Sequence, residues 1–231
     1  MLAISALNQS YGQSHTLWDV DLDLPKGSCT CLMGRNGVGK TTLLKCIMGL
    51  LDTSSGSIQF ADQDLIHMPA EKRAPLGIGY VPQGREIFPL LTVEENLKTG
   101  LAAGRQKTNT VPERIFKIFP VLKQMLYRRG GDLSGGQQQQ LAIGRALVVE
   151  PELLILDEPT EGIQPNIVHE IGDTILQLNK EQGLTVLLVE QKLPFAKRVG
   201  DRFCIMEKGK AVALGGMDEL GDDIVQRYLT V

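Results

Sequence analysis

The segment GRNGVGKT, from Gly34 to Thr41, restricts the possible folds of this 231-residue chain more than any other stretch. It follows an apolar run, SCTCLM, and precedes the run KTTLLKCIMGLL, so a strand, a glycine-rich turn and a helix are predicted in succession. Gly34, Gly37 and Gly39 allow the backbone to curl until successive N–H groups point at one cluster of anionic oxygens. The start of the helix adds partial positive charge. A phosphate-binding loop is the favoured interpretation, and a glycine-rich turn without a ligand is the alternative.

The residue types in this loop suit a nucleoside triphosphate. Lys40 is predicted to reach the β- and γ-phosphates, and Thr41 is predicted to supply a hydroxyl to Mg²⁺.

A second apolar run, LLILDE, ends in two carboxylates, Asp157 and Glu158. Asp157 is predicted to hold Mg²⁺ through its water shell, and Glu158 is predicted to polarise the water that attacks the γ-phosphate. A strand that ends in Asp-Glu is common and weak evidence by itself. When it follows a phosphate-binding loop in the same parallel sheet, it favours a nucleoside triphosphatase site.

A third element, DLSGGQQQQLAIGRAL, places Leu133–Gln137 at the start of a long helix. Ser134 as N-cap and the two glycines after it offer hydroxyl and backbone N–H donors at a positive helix end. This is a second phosphate-binding surface, distant in sequence from the first, although an ordinary N-capped helix would look the same. The glutamines 137–140 are interpreted as the solvated start of that helix.

The order of strand and helix patterns predicts an α/β fold with a largely parallel sheet and a β-rich N-terminal part. Residues 84–150 read as helical segments, so we expect one domain over residues 1–231, with a core at about 1–83 and 151–231 and an inserted helical subdomain at about 84–150. The net charge of −3 gives no reason to expect nucleic acid as a partner. No apolar stretch approaches membrane-spanning length, and no signal peptide is apparent, which predicts a cytosolic chain with its four cysteines as buried free thiols.

The last strand pattern, TVLLV, runs into Glu190 and Gln191. Ligands bind at the carboxyl ends of strands in open α/β sheets, so Gln191 is a candidate site residue. Pro194 is expected to end the segment that comes after this strand.

With these motifs in this order, the chain resembles the ATP-binding subunit of ABC transporters along nearly its whole length. The resemblance implies a P-loop NTPase (RecA-like) ATP-binding cassette, in which two subunits face head to tail and each ATP lies between one P-loop and the partner's LSGGQ motif. It implies that Tyr11 stacks on adenine, that Gln83 joins Glu158 and Gln191 in catalysis, and that Thr41, Gln83 and Asp157 hold Mg²⁺. The ATP-contacting residues that it implies are Tyr11, Gly34, Arg35, Asn36, Gly37, Val38, Gly39, Lys40, Thr41, Thr42, Ser134, Gly135, Gly136 and Gln137.

Gln191 occupies the position at which most of this family carries a histidine that contacts the γ-phosphate. An amide N–H can still donate to a phosphate oxygen, but the amide cannot take up a proton or carry a positive charge. The LLVEQ pattern resembles the branch of the family that serves importers of branched-chain amino acids, amides and urea. Within that branch, several motifs resemble the second ATP-binding subunit of urea importers, so urea is the expected solute and branched-chain amino acids or short amides are the alternative.

The resemblance implies several partners: a second ATPase subunit, identical or related; transmembrane permease subunits; and, indirectly, a solute-binding receptor. It places the chain peripherally on the cytoplasmic side of a bacterial-type inner membrane. Phe88, Pro89 and Leu90 are expected either to form part of the groove for the permease or to pack within the helical lobe. A non-transport ABC ATPase and a small-molecule kinase are rival interpretations, but the chain has one P-loop and no heptad run, and a kinase would not need the LSGGQ motif.

Overall fold

The computed structural model describes residues 1–104 and 108–229. Residues 105–107 of the predicted helical segment at 84–150, and residues 230 and 231 of the predicted domain, lie outside the described residues. The strands are β1 (Leu2–Tyr11), β2 (Ser14–Leu24), β3 (Cys29–Met33), β4 (Ser55–Phe60), β5 (Gln63–Asp64), β6 (Ile78–Val81), β7 (Leu153–Asp157), β8 (Thr185–Val189), β9 (Arg202–Glu207) and β10 (Lys210–Gly216). The helices are α1 (Lys40–Ile47), α2 (Val93–Ala102), α3 (Glu113–Ile118), α4 (Pro120–Gln124), α5 (Gly135–Leu147), α6 (Pro165–Leu176), α7 (Leu193–Val199) and α8 (Asp222–Tyr228).

The strands form two sheets. The first is antiparallel, in the order β2-β1-β4-β5, and the second has the order β10-β9-β3-β8-β7-β6. In the second sheet β3 pairs in parallel with β8 and β9, and β7 pairs in parallel with β6 and β8. The predicted α/β fold with a largely parallel sheet is confirmed, as is the predicted β-rich N-terminal part, in which β1 pairs with β2 from Leu2 opposite Leu24 to Tyr11 opposite Ser14.

Helix α1 lies between the two sheets. Leu43 and Leu44 on α1 are fully buried and share an apolar cluster with Leu2 of the first sheet and Leu187 of the second. The helix ends at Ile47, where the buried guanidinium of Arg73 donates to the carbonyl oxygens of Cys46 and Ile47 at 2.8 and 2.5 Å. The packing and this cap fix the position of α1 between the sheets.

The second apolar cluster lies on the other face of the parallel sheet and extends into the helices of residues 93–147. Helix α2 begins with a capping box formed by Thr92 and Glu95. Gly144 of α5 allows close helix packing, since a Cβ there would stand 3.2 Å from Leu122 and 3.3 Å from Leu97. All four cysteines are free and buried, as predicted. Within residues 1–104 and 108–229, no helix has the length and apolarity needed to cross a bilayer.

Two local expectations were wrong. Pro194 does not end a segment but lies in the first turn of α7, where its missing N–H has no intrahelical acceptor to lose. The glutamines of α5 are not all solvated, because Gln139 and Gln140 are buried. Gln140 donates its amide to Glu170 of α6 at 3.1 Å, so this end of α5 packs against another helix instead of facing water.

Candidate active site

The candidate site lies where four neighbouring parallel strands end. The phosphate loop follows β3, Gln191 comes two residues after β8, Asp157 closes β7, and Gln83 comes two residues after β6. The sheet order places these four strands side by side, in the order β3-β8-β7-β6. Residues that are up to 157 positions apart in the sequence are therefore brought to one edge of the sheet, the edge at which open α/β sheets bind ligands.

The phosphate loop has the backbone conformation that its glycines predict. Gly34, Gly37 and Gly39 have φ values of +143°, +78° and +105°, which other residues rarely adopt. A Cβ on Gly34 would stand 2.3 Å from the carbonyl oxygen of Met206. Glycine is therefore a steric requirement at Gly34, whereas at Gly37 and Gly39 the positive φ favours it.

Lys40 is buried, and its Nζ donates to the carbonyl oxygens of Gly34 at 2.8 Å and Arg35 at 2.9 Å. The ammonium group is thus folded back over the loop that would hold a phosphate. Burial lowers the pKa of Lys40, and the nearby carboxylates of Glu158 and Asp157 oppose this effect. This fixed cation is in position to interact with a polyphosphate.

Asp157 and Thr41 are in direct contact, because the Thr41 hydroxyl donates to Asp157 Oδ2 at 3.0 Å. The other carboxylate oxygen, Oδ1, is buried and finds no hydrogen-bond partner among the described residues. Burial raises the pKa of Asp157 to about 6, and the Thr41 hydrogen bond counteracts part of that rise. A buried carboxylate oxygen without a partner, beside a hydroxyl, suits a hard cation such as Mg²⁺.

No group of three or more His, Cys, Asp or Glu side chains within the described ranges is placed to hold a metal ion. A single carboxylate with a hydroxyl is nevertheless the donor set that Mg²⁺ uses when substrate phosphates and water complete its shell. The residues present therefore fit a magnesium ion that arrives with a nucleotide.

Glu158 lies at the centre of a hydrogen-bonded network. Gln191 Nε2 donates to Glu158 Oε1 at 2.5 Å and to Asn36 Oδ1 at 2.7 Å. Gln83 Nε2 lies 3.4 Å from Glu158 Oε2 and 2.9 Å from Glu161 Oε2. The predicted residues Gln83, Glu158 and Gln191 are thus brought together, and Gln191 connects the carboxylate to the phosphate loop.

Tyr11 is exposed over 48% of its surface, and its hydroxyl lies 3.5 Å from Thr42 Oγ1 in the first turn of α1. It is not a core residue of its strand. An exposed ring beside the phosphate loop is available to stack on a base.

The second predicted phosphate-binding surface forms a separate cavity. Ser134 caps α5 and makes a capping box with Gln137, so its hydroxyl accepts from the Gln137 N–H at 3.4 Å. Ser134, Gly135, Gly136 and Gln137 line a cavity that shares no lining residue with the cavity around Lys40. The two surfaces predicted to bind phosphate therefore do not form a single pocket within one chain.

Several residues that hold this site together have no signal in the sequence. Arg145 of α5 donates to the carbonyl oxygens of Glu86 at 2.8 Å and Arg85 at 3.2 Å, two residues with left-handed backbone just after Gln83. Glu190 and Thr160 form a buried hydrogen bond of 2.7 Å beneath Gln191. These contacts join segments far apart in the chain, so no local pattern reports them.

Phe88, Pro89 and Leu90 are exposed, with 47% of Phe88 and 79% of Leu90 accessible. The side chains of this segment are therefore not buried within the helical lobe, although the backbone of Phe88 is hydrogen-bonded to Asn96 of α2. Arg145 lies over the Phe88 ring at 5.4 Å from its centroid. The exposed segment is available for a partner surface.

Comparison with known proteins agrees with this geometry. The family model described as ABC transporter matches residues 17–161. The high-affinity branched-chain amino acid transport ATP-binding protein of Pseudomonas aeruginosa is 40% identical over 92% of this chain and 91% of its own length. The probable branched-chain amino acid transport ATP-binding protein of Archaeoglobus fulgidus is 40% identical over 95% of this chain and 94% of its own length.

Solved structures give the same result. A dimeric ATP-binding cassette in a post-hydrolysis state, bound to ADP and phosphate, superimposes with a TM-score of 0.85 at 25% identity, covering 94% of this chain and 99% of that one. The ADP conformation of an ATP-binding cassette from an ABC transporter superimposes with a TM-score of 0.80 at 29% identity, covering 100% of this chain and 94% of that one.

Proposed function

The chain belongs to the ABC transporter family as the ATP-binding subunit of an importer, and on that premise we propose that it hydrolyses MgATP to drive uptake of branched-chain amino acids or a related small polar solute. The cassette is an ATPase of this family. The observation that carries the proposal is the convergence of Lys40, Asp157, Glu158 and Gln191 at the ends of neighbouring strands.

ATP binding begins at the phosphate loop. Backbone N–H groups between Gly34 and Thr42 surround the phosphates, and the buried Lys40 ammonium turns from two carbonyl oxygens to the β- and γ-phosphates. The exposed Tyr11 ring stacks on adenine without reading its edge. The remaining contacts predicted from the sequence are those of Arg35, Asn36 and Val38.

Magnesium fits beside Thr41 and Asp157, with Gln83 as the third predicted ligand. When bound there, the ion would neutralise charge on the phosphates and polarise them for attack. Asp157 Oδ1, which lacks a protein partner in the described residues, is the oxygen that this arrangement would satisfy.

Glu158 is the general base in this proposal, because its carboxylate lines the same cavity as Lys40 and Thr41, where the γ-phosphate would lie. Gln191 contacts Glu158 and Asn36 together and so fixes the carboxylate relative to the phosphate loop. When ATP binds, one of the two amide N–H groups of Gln191 would turn from Asn36 or Glu158 to a γ-phosphate oxygen, without a change of protonation.

ABC cassettes form dimers, and the ATP-binding subunits of importers assemble with transmembrane permease subunits. We propose that the Ser134–Gln137 surface completes the ATP site of a second cassette, since it is separate from the Lys40 cavity of its own chain. The exposed segment Phe88–Leu90 is proposed as part of the permease contact. The peripheral position on the cytoplasmic side of the inner membrane follows from that contact.

The proposed solute class is supported by the two relatives whose names refer to branched-chain amino acid transport. Urea is the second candidate, and its support is the resemblance of GRNGVGKTTLLKCIMGLL, YVPQGREIFP and EPTEGIQPNI to the urea-importer branch. In the proposed assembly this subunit does not touch the solute in either case. The solute must therefore be identified on the receptor.

The test is to isolate the native complex through a tag on this chain and to identify its other chains and the solute that its receptor binds. Uptake of labelled leucine and of labelled urea is then compared in cells that carry wild type or Lys40→Ala at equal protein level. Loss of leucine uptake alone in the variant supports the proposal, and loss of urea uptake alone supports the second candidate. Isolation of the chain without any permease, with both uptakes unchanged, would contradict an import function.

A further inference from the structure

Glu190, the residue before Gln191, is a buried carboxylate with both oxygens engaged. Oε1 accepts from the backbone N–H groups of Gln191 and Lys192, each at 3.0 Å. Oε2 accepts from the hydroxyl of Thr160 at 2.7 Å. Only 3% of Glu190 and none of Thr160 is exposed, so water does not compete for these bonds.

Lys192 makes a second connection to the same residue. Its Nζ donates to the carbonyl oxygen of Thr160 at 3.0 Å. The hydroxyl and the carbonyl of Thr160 are therefore both held by the segment that follows β8. We call this set the β8 clamp, which consists of Glu190, Lys192 and Thr160.

The β8 clamp acts on the loop that carries Glu158, two residues before Thr160. Glu158 has a φ of +49°, a left-handed conformation that is unfavourable for a residue with a Cβ. Such a conformation persists only when the surroundings fix it. The Glu158 N–H donates to Val189 O at 3.0 Å, so the end of β8 holds this loop at Glu158 and again at Thr160.

We propose that Glu190 is a positioning residue for ATP hydrolysis: it fixes the backbone of Gln191 and, through Thr160, the loop of Glu158, so that the amide and the carboxylate remain in contact. The inference rests on the catalytic roles proposed for Glu158 and Gln191. A neutral amide donates along two fixed N–H directions and has no charge to compensate for misalignment. The function proposed for Gln191 therefore depends strongly on the residues that fix its position.

The test uses the whole chain in its native transporter complex and compares Glu190→Ala with Glu190→Gln. Glu190→Ala should lower kcat by about 10–100-fold, the range expected when a reacting group is misplaced, while the KM for ATP changes by less than about 3-fold. Glu190→Gln should remain within about 3-fold of wild type, because its amide oxygen accepts the two N–H groups and its amide nitrogen donates to Thr160.

Thr160→Val provides a variant of nearly unchanged shape that removes only the hydroxyl, and it should reproduce part of the kcat loss. The matched control is Thr185→Val, which removes a buried hydroxyl at the opposite end of β8, where it accepts from the Gly27 N–H at 2.9 Å. The control should lower the melting temperature and leave kcat unchanged. Combining Glu190→Ala with Gln191→Ala should slow turnover by less than the product of the two single effects.

A lower melting temperature with wild-type kcat in Glu190→Ala and Thr160→Val would overturn the proposal and leave Glu190 as a structural residue. The proposal would also be overturned if the Glu190→Ala, Gln191→Ala double variant slowed turnover by the full product of the two single effects. If the catalytic roles proposed for Glu158 and Gln191 are themselves wrong, the result is distinguishable, because Glu158→Gln would then turn over ATP like wild type.

Discussion

Replacing Gln191 with alanine tests whether an amide can serve in this position. In the structure its Nε2 donates to Glu158 Oε1 at 2.5 Å and to Asn36 Oδ1 at 2.7 Å. A hydrogen bond to a charged group contributes about 1.5–3 kcal/mol, and about 1.4 kcal/mol corresponds to a factor of ten in rate. Because Gln191 is exposed, the lower part of that range applies unless a bound phosphate and a second chain cover it.

We therefore expect Gln191→Ala to slow ATP turnover by about 10–100-fold. Affinity for ADP should be nearly unchanged, since ADP lacks the γ-phosphate. Phosphate release at saturating MgATP measures the first effect, and calorimetric titration with ADP measures the second. Gln191→His should recover part of the lost rate, because an imidazole N–H can replace the amide donor.

Equal turnover in wild type and Gln191→Ala would refute the reasoning. Gln191 would then be an exposed residue that ends β8 without a part in catalysis. A matching loss of ADP affinity would also contradict it, because that result assigns the effect to the phosphate loop through Asn36.

Four further predictions concern the nucleotide site. Lys40→Ala should lose nucleotide binding or turnover, because it removes the buried cation at the phosphate loop, and wild-type ATPase activity would argue against this assignment. Tyr11→Ala should weaken the affinity for ATP and GTP alike by about 1–3 kcal/mol, as measured by calorimetry, and unchanged affinity would exclude stacking. Because burial raises the pKa of Asp157 to about 6, Mg²⁺ activation of turnover should weaken as the pH falls through about 6. The folded state holds that proton more tightly than the unfolded state does, so Asp157 costs stability progressively as the pH rises from about 3.8 to about 6, and the full cost is present above about 6. Asp157→Asn should therefore raise the melting temperature of the nucleotide-free chain at neutral pH, with little gain below about pH 4. A pH-independent difference would contradict the assigned pKa.

The sequence predicted the parts of the site that have local signatures. The glycines of residues 34–39 require particular φ values, and the apolar runs before Gly34 and Asp157 have the composition of buried strands, so their pattern reports their structure. The short strand β6 had no such signal, although it ends near Gln83. Which strand neighbours which is decided by long-range packing, and only the sheet order shows that β8 lies between β3 and β7.

The supporting contacts were outside the reach of sequence reasoning for a related reason. Thr160 and Glu190 are separated by 30 positions, and neither belongs to a motif whose chemistry predicts the other. Pro194 illustrates the opposite error, since a proline can end a segment or occupy the first turn of a helix. The choice depends on the residues after the proline, and here Phe195, Ala196 and Val199 supply a buried helix face.

We propose that ATP is held between the phosphate loop of one chain and the Ser134–Gln137 surface of another. The Glu158→Gln variant tests this arrangement, since it should bind MgATP and turn over about 10²–10⁴-fold more slowly than wild type. Analytical ultracentrifugation at saturating MgATP should show this variant as a dimer, with itself or with the other ATPase subunit of its native complex. The same variant with Lys40→Ala should remain monomeric. A Glu158→Gln chain that binds MgATP and stays monomeric in both mixtures would contradict the claim.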